Sequence, residues 1–435
     1  MEIRTRYAPS PTGPFHLGGA RTALFNLLFA KPPAGKFILR IEDTDKARSL
    51  EQYEKSITNG LSWLGINWGE FYRQSERIEI HKKYLKKLID SGNAYLSKES
   101  KGERSEVIRF KNPKKRVEFE DIVRGKIEFD TSDLGDFVVA KSLDEPLYHL
   151  AVVVDDAEMK ISHVIRGEDH ISNTPRQILL QSALTFPQPI YAHLPLILGP
   201  DRSKLSKRHS AESVEEYKNQ GYLPEALYNF LALLGWHPEG DKEVMSKDEL
   251  FKSFSLERVG KAGAIFDNKK MDWMNGEYIR EKDNKALLEI ASPFLPIEFF
   301  ESGLDNEKII ALEKPRLKKL SELPNKVQYF YEAPKYDKNL LVWKQMVTSE
   351  VLEALNKIKK LVEDVSAGGF DKERLESIFL KAIGEGDKGR ILWPFRVALT
   401  GRKVSPGPFE IAEILGKEES LRRIDFALNI TSYKV

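Results

Sequence analysis

Residues 3–8 alternate polar and apolar side chains at the period of a strand, and a Pro/Gly-rich turn follows them. From Ala20 to Phe29 the period lengthens, so that Ala23, Leu24, Leu27 and Leu28 share one helical face. Two prolines and Gly35 then stop that helix. Phe37, Ile38, Leu39 and Ile41 make a short buried strand that ends at Glu42-Asp43-Thr44-Asp45. Strand, helix and strand in this order form a βαβ unit, whose right-handed crossover predicts a parallel sheet and an α/β fold. Ligands gather at the carboxyl ends of such strands. His16, at the first end, and Glu42, at the second, are therefore expected to face one crevice.

Residues 96–147 change character. They are polar, rich in Lys and Glu, and hold only short strand-like pieces at Val107–Phe110 and Lys126–Phe129, which predicts an insertion into the sheet domain. The apolar run Leu150–Val154 reads as the strand that returns the chain to the core, and a second buried strand, Tyr191–Leu198, feeds a basic loop. From about residue 281 the pattern is helical, over 285–294, 306–320, 349–365 and 374–383, with Gly401 and Gly416 as expected helix ends. The division that results is a split sheet domain (1–95 and 148–235), the insertion (96–147), a connecting region (236–280) and two helical parts (281–345 and 346–435).

At 435 residues the chain exceeds one ordinary domain. Its 41% hydrophobic content is enough for packed cores. Basic and acidic residues nearly balance, 68 against 66, so any RNA must bind on local basic surfaces rather than through net charge. The absence of cysteine excludes disulfides, thiolate chemistry and Cys-based zinc sites, and fits a reducing compartment. Met1-Glu2-Ile3-Arg4 leads straight into a charged strand, unlike a signal peptide, and no apolar run approaches the ~20 residues that span a bilayer. A soluble cytoplasmic protein is expected.

Candidate chemistry concentrates in two places. His16-Leu17-Gly18-Gly19 lies where a strand turns into a helix, and Lys204-Leu205-Ser206-Lys207-Arg208 lies in the basic loop. A helix N-terminus offers backbone donors and partial positive charge to a phosphate. Glycines admit a nucleotide close to the backbone, and the histidine and lysines add donors and charge. Either motif alone is weak, because turn histidines and solvated lysines are common. In this order, around a βαβ unit, they point to ATP activation of a carboxylate, in which catalysis is mostly positioning and electrostatic stabilisation.

Five stretches carry a family resemblance. They are Arg6–His16, Phe37–Asp45, Tyr148–Asp156, Val164–Pro175 and the Lys204 loop, and the likeness continues through Gly221–Asn229 and Phe266–Asn275. In this order they resemble the bacterial-type glutamyl-tRNA synthetases, within the class I aminoacyl-tRNA synthetases. Gly19 in place of a second histidine and Arg208 in place of a serine are similar to the glutamyl group.

The resemblance implies a Rossmann-type catalytic domain with an inserted acceptor-end-binding domain, then stem-contact and helical anticodon-binding parts. It implies ATP at His16, Gly18, Gly19, Lys204, Leu205, Ser206, Lys207 and Arg208, with His16, Gly18, Lys204 and Lys207 catalytic. For L-glutamate it implies Arg6 and Tyr148 on the side-chain carboxylate, Arg166 on the α-carboxylate, and Glu42 with Ser10 on the ammonium. His170 and Arg316 fall among tRNA contacts, and arginine at 316 matches enzymes confined to glutamate tRNA. Implied partners are glutamate tRNA, glutamate, and ATP with Mg2+, for a monomer with no membrane association. The cysteine-based zinc knuckle of some members is absent, so the insertion is expected to hold by its own packing, and no metal ligand is assigned. Glutaminyl relatives carry another flank before the histidine and an all-β anticodon region. A catalytically silent tRNA-binding paralogue should show decayed ATP motifs, whereas His16, Gly18, Lys204 and Lys207 are all present.

Overall fold

The computed structural model describes residues 2–99, 106–205 and 213–432, so Ser206, Lys207 and Arg208 of the basic loop lie outside the described residues. Two compact units divide the chain, Met1–Met274 and Asn275–Val435.

The first unit is built on a parallel sheet. Strand β1 (Arg4–Tyr7) leads through helix α1 (Leu17–Ala30) to β2 (Lys36–Ile41), and through α2 (Glu51–Leu64) to β3 (Glu70–Arg73), with β1 and β3 both parallel to β2. This is the expected βαβ unit, but α1 starts at Leu17 rather than Ala20, so Gly18 and Gly19 form its first turn. After α3 (Ile78–Asp90), strands β4 (Ala94–Lys98) and β5 (Glu106–Phe110) begin the insertion. A hairpin of β6 (Arg116–Asp121) and β7 (Gly125–Asp130), then β8 (Phe137–Ser142) and β9 (Glu145–Pro146), complete it.

Leu150–Val154 is not a strand. It lies inside helix α4 (Tyr148–Glu158), where every residue from Leu150 to Asp156 is buried. A run that is apolar on all sides carries no period, and burial against α3 and the next helix overrides the β preference of three valines. The helix has a consequence for the site. Consecutive residues diverge by about 100° around its axis, which sends Asp155 and Asp156 to different partners.

Strand β10 (His163–Gly167) then runs parallel to β11 (Ile190–Leu194), on either side of α5 (Thr174–Leu184). The Ser162 amide donates to the Arg4 carbonyl (2.9 Å) and the Arg4 amide to Ser162 Oγ (2.8 Å), laying β10 beside β1. The expected strand from Tyr191 to Leu198 is broken. Pro195 lacks an N–H and ends β11, and β12 (Ile197–Leu198) pairs separately with β13 (Ala264–Ile265).

The insertion does not hold by its own packing. Strands β4, β5, β8 and β9 form an antiparallel sheet, but the β6–β7 hairpin joins the catalytic strands through a parallel pairing of Asp121 with Tyr191. Phe110, Phe119 and Val139 of the insertion share one hydrophobic core with Ile38, Leu85, Leu150, Val153 and Leu180.

Within its described residues the second unit is wholly helical. The helix Thr348–Glu363 buries Val351, Ala354, Leu355, Ile358 and Val362 on one face, the spacing of an amphipathic helix. The predicted helix 306–320 stops at Glu313, and Lys314–Arg316 form a 3-10 turn around Pro315. Gly401 ends its helix at φ 66°, while Gly416, at φ 79° and ψ 168°, kinks the long segment Pro408–Ser432 into two helices. Helix also begins earlier than residue 281, at Asn268. No helix among the described residues is long and apolar enough to cross a membrane.

Candidate active site

His16 is the N-cap of α1, and its Nδ1 accepts from the Gly19 amide at 3.1 Å. That bond leaves the neutral ring's proton on Nε2, which points a donor away from the helix. Desolvation by the surrounding protein lowers the pKa of His16, and the Lys204 ammonium adds to the effect against the pull of Asp169. Gly19 is also needed for packing: an added Cβ would meet the Tyr7 hydroxyl and the Phe15 ring. At Gly18 an added Cβ would come within 3.1 Å of His16 Nδ1.

Both ends of the basic loop are tied down. Lys204 bridges Leu198, and the Leu205 amide donates to Ile197 at 2.9 Å. Beyond the loop, Ser213 bridges His16 and the Val214 amide donates to the Phe15 carbonyl at 2.9 Å. The loop therefore starts near the sheet and ends on the His16 turn.

Charged side chains converge at the strand ends of this unit. Arg6, 4% exposed, gives Nε and Nη2 to Asp156 at 3.0 and 3.2 Å. Arg40 is fully buried and spans Asp156 (2.8 Å) and Glu42 (3.1 Å). Burial pushes the Glu42 carboxyl up, with Arg40 and Arg6 opposing. For Asp156 burial also acts upward, but Arg6 and Arg40 outweigh it and hold the carboxyl low. The Glu42 amide donates to the Pro9 carbonyl at 2.8 Å, which ties the backbone before exposed Ser10 to the end of β2.

Arg166 differs from the other two. It is 6% exposed, yet its bonds go to neutral groups: Nε to His193 Nε2 at 3.3 Å and Nη2 to Thr174 Oγ1 at 2.8 Å. Burial lowers its pKa. A buried guanidinium without a bonded carboxylate is costly, and an anionic ligand would relieve that cost. Tyr148 is electrostatically coupled to Arg166, Glu42 and Arg6, and burial raises its pKa. Its hydroxyl meets His170 Nδ1 at 2.9 Å. Burial and then Arg166 lower the His170 pKa to about 4. The site thus brings together Arg6, Glu42, Tyr148, Arg166 and His170, whereas no contact places Ser10 against them.

The sequence reading missed Arg40, Asp156, Asp121 and His193. The first and last were visible as single polar residues inside apolar strands, where a buried polar group is the informative signal.

In the second unit, a cavity of about 580 Å³ is lined by residues that include Glu313, Arg316, Lys318, Lys326, Tyr329 and Arg402. Glu313 is buried and accepts from Tyr329 Oη at 3.0 Å and from Arg316 Nη1 at 3.3 Å. The Arg402 guanidinium lies over the Tyr329 ring, 5.3 Å from its centre. Arg316 is not part of a helix face; it stands on a turn, tethered at one nitrogen.

Comparison with known proteins agrees with these features. The family described as tRNA synthetases class I (E and Q), catalytic domain, matches residues 2–104 and 96–273, and the anticodon binding domain family matches residues 286–428. The glutamate–tRNA ligase of Thermodesulfovibrio yellowstonii is 43% identical over 467 residues, covering 97% of this chain and 98% of that protein. That of Aquifex aeolicus is 42% identical with the same coverage. The crystal structure of a glutamate tRNA ligase from Elizabethkingia meningosepticum, in complex with its amino acid, superposes with a TM-score of 0.88 at 32% identity, covering 99% of each chain. With both family models matched and full-length relatives at 43% and 42% identity, the chain belongs to the glutamate–tRNA ligases, class I aminoacyl-tRNA synthetases that use ATP.

Proposed function

We propose that this chain joins L-glutamate to the 3′ end of glutamate tRNA through a glutamyl-adenylate, and that it discriminates against glutamine tRNA. The observation that carries the first part is Arg166, a buried guanidinium bonded only to neutral side chains beside the paired Arg6–Asp156 and Arg40–Glu42. The α-carboxylate binds Arg166. Asp156 occupies two nitrogens of Arg6, so Nη1 is left for the side-chain carboxylate, with the Tyr148 hydroxyl as second donor. Glu42, anchored by Arg40 and flanked by Ser10, takes the ammonium. Glutamine would bring a neutral amide to Arg6, which disfavours it strongly.

ATP lies over the α1 N-terminus at Gly18 and Gly19, with His16 Nε2–H donating to a phosphate and Lys204 to Arg208 closing over the triphosphate. Mg2+ arrives with the nucleotide; among the described residues no cluster of three or more histidine or acidic side chains gathers to hold a cation. A glutamate α-carboxylate oxygen attacks the α-phosphorus and pyrophosphate leaves. The terminal ribose hydroxyl of tRNA then attacks the activated carbonyl and AMP leaves. No side-chain nucleophile takes part, so positioning and charge stabilisation carry the rate.

Residues 96–147 grip the acceptor end, 236–280 touch the stem, and the helical parts read the anticodon. RNA bases splayed from a loop are read by stacking on aromatic rings and by donors on their edges. The cavity with Arg316 and Arg402 offers the donors. Charging of purified glutamate tRNA and glutamine tRNA with radiolabelled glutamate, each alone, tests the whole reading. Label on the first only is expected; label on both removes the discrimination, and label on neither with tRNA still bound removes the activity.

A further inference from the structure

We propose that Asp121 and His193 are positioning residues that aim the Arg166 guanidinium at the glutamate carboxylate by fixing the tautomer of the imidazole between them. Asp121 Oδ2 lies 2.6 Å from His193 Nδ1, and both side chains are fully buried. A carboxylate in that place accepts the Nδ1 proton, and the neutral ring then carries a bare lone pair on Nε2. Arg166 Nε and Thr174 Oγ1 meet that lone pair at 3.3 and 3.1 Å. The opposite tautomer would set an N–H against the Arg166 N–H and push the guanidinium away.

The ring has no freedom to turn. Tyr191 stacks on it with an interplanar angle of 14°, and Phe119 packs against it at 6.3 Å between centres. Asp121 is equally fixed, because its Oδ1 accepts from the Val123 and Arg124 amides at 3.0 and 2.8 Å. Burial lowers the His193 pKa against the pull of Asp121, which keeps the ring neutral.

The relay also explains why Arg166 keeps its charge for the substrate. Asp156 bonds Arg6 directly and cancels most of its field, whereas Asp121 stands one imidazole away from Arg166. Arg166 is thereby oriented as firmly as Arg6 while its Nη1 edge stays electropositive toward a ligand. Asp121 is the last residue of β6, so the inserted segment supplies the back wall of the amino-acid pocket.

The inference rests on Arg166 holding the glutamate carboxylate, and the test separates the two ideas. Charging kinetics of the full-length enzyme are measured for glutamate, ATP and tRNA in the wild type, Arg166→Ala and Asp121→Asn. Asparagine keeps an oxygen for the Val123 and Arg124 amides but turns an N–H toward Nδ1, which moves the ring proton to Nε2, against the Arg166 N–H. We expect Asp121→Asn to raise KM for glutamate on the order of ten- to a hundredfold, with KM for ATP and tRNA unchanged. A glutamate KM unmoved in Asp121→Asn but raised in Arg166→Ala would overturn the relay alone, and so would an equal rise in all three constants. If Arg166→Ala itself leaves the glutamate KM unmoved, the placement of Arg166 fails first. Should Asp121→Asn not fold, ¹⁵N spectra of the wild-type imidazole, assigned with His193→Gln, decide: a proton on Nδ1 supports the relay and a proton on Nε2 refutes it.

Discussion

Two arginines in this molecule present the same planar fork of donors on very different ground. Arg166 in the catalytic unit is 6% exposed, held at two nitrogens and walled by aromatic rings. Arg316 in the helical unit is 30% exposed and tethered at one nitrogen to Glu313. A free amino acid has few atoms, so its site must be set before it arrives, and each bond there is made in a low dielectric. An RNA base arrives on a large partner with many other contacts. If Arg316 is its reader, as proposed, it works from a cavity rim and gains selectivity from one base edge at a time. On the proposed reading, the first region is built for strength per bond and the second for discrimination.

The largest effect should come from Arg166→Ala, which leaves the glutamate carboxylate in a dry pocket without its ion partner. A rise in KM for glutamate of about thirtyfold or more is expected from the 2–5 kcal/mol such truncations typically cost; a change below tenfold would erase the contrast between the two sites. Lys207→Ala should slow adenylate formation by about a hundredfold while tRNA binding, followed by filter retention, is kept. An unchanged rate removes the loop from the mechanism.

Arg316→Ala sharpens the other half of the comparison. It should leave the glutamate and ATP constants alone and narrow the preference for glutamate tRNA over glutamine tRNA by about 1–3 kcal/mol, read as the ratio of kcat/KM for the two tRNAs. A shift in the glutamate constant instead would mean that the two regions do not work separately. Gly19→Ala tests packing beneath the nucleotide turn: the new methyl meets the Tyr7 hydroxyl, and overpacking of this kind costs about 1–3 kcal/mol, visible as a lower Tm.

The smallest effect is a pH dependence. Burial acts upward on the Asp155 carboxyl, but His81, Arg40 and Arg77 hold it at about 2. A carboxyl depressed on folding stabilises above its unfolded value near 4, and loses that contribution as pH falls toward 2. The stability gap between wild type and Asp155→Asn should therefore shrink by on the order of 2 kcal/mol between pH 5 and 2. Urea unfolding at both pH values measures it, and a constant gap would strip Asp155 of this role.

What the sequence displays and what it hides follow from how far each signal reaches. The His16–Gly19 turn is local, and strand, turn and helix appear in order along the chain. The helix Tyr148–Glu158 is hidden because a run buried on every side has no period, and three valines speak for a strand. Arg40 and His193 each left a trace as one polar residue among apolar neighbours. Asp121 left none, since its strand reads as an ordinary alternating hairpin and only the pairing with Tyr191 brings it under His193. The placement of Arg316 on a turn rather than a helix was equally hidden, because Pro315 can begin a helical segment as readily as end one.

The shared core beneath the insertion restricts what evolution or an engineer can do with it. A segment spliced into a fold is usually treated as a cassette, free to be lengthened, trimmed or exchanged with that of a relative. Here removal of residues 96–147 would strip the sheet of β6, open the core around Phe110, Phe119 and Val139, and take away Asp121. Chimeras that graft a foreign insertion onto this scaffold are therefore constrained at the base, where β6 must return a carboxylate to the same register. On strand β4, Leu96 is exposed and leaves more room for substitution than the core-facing Ala94.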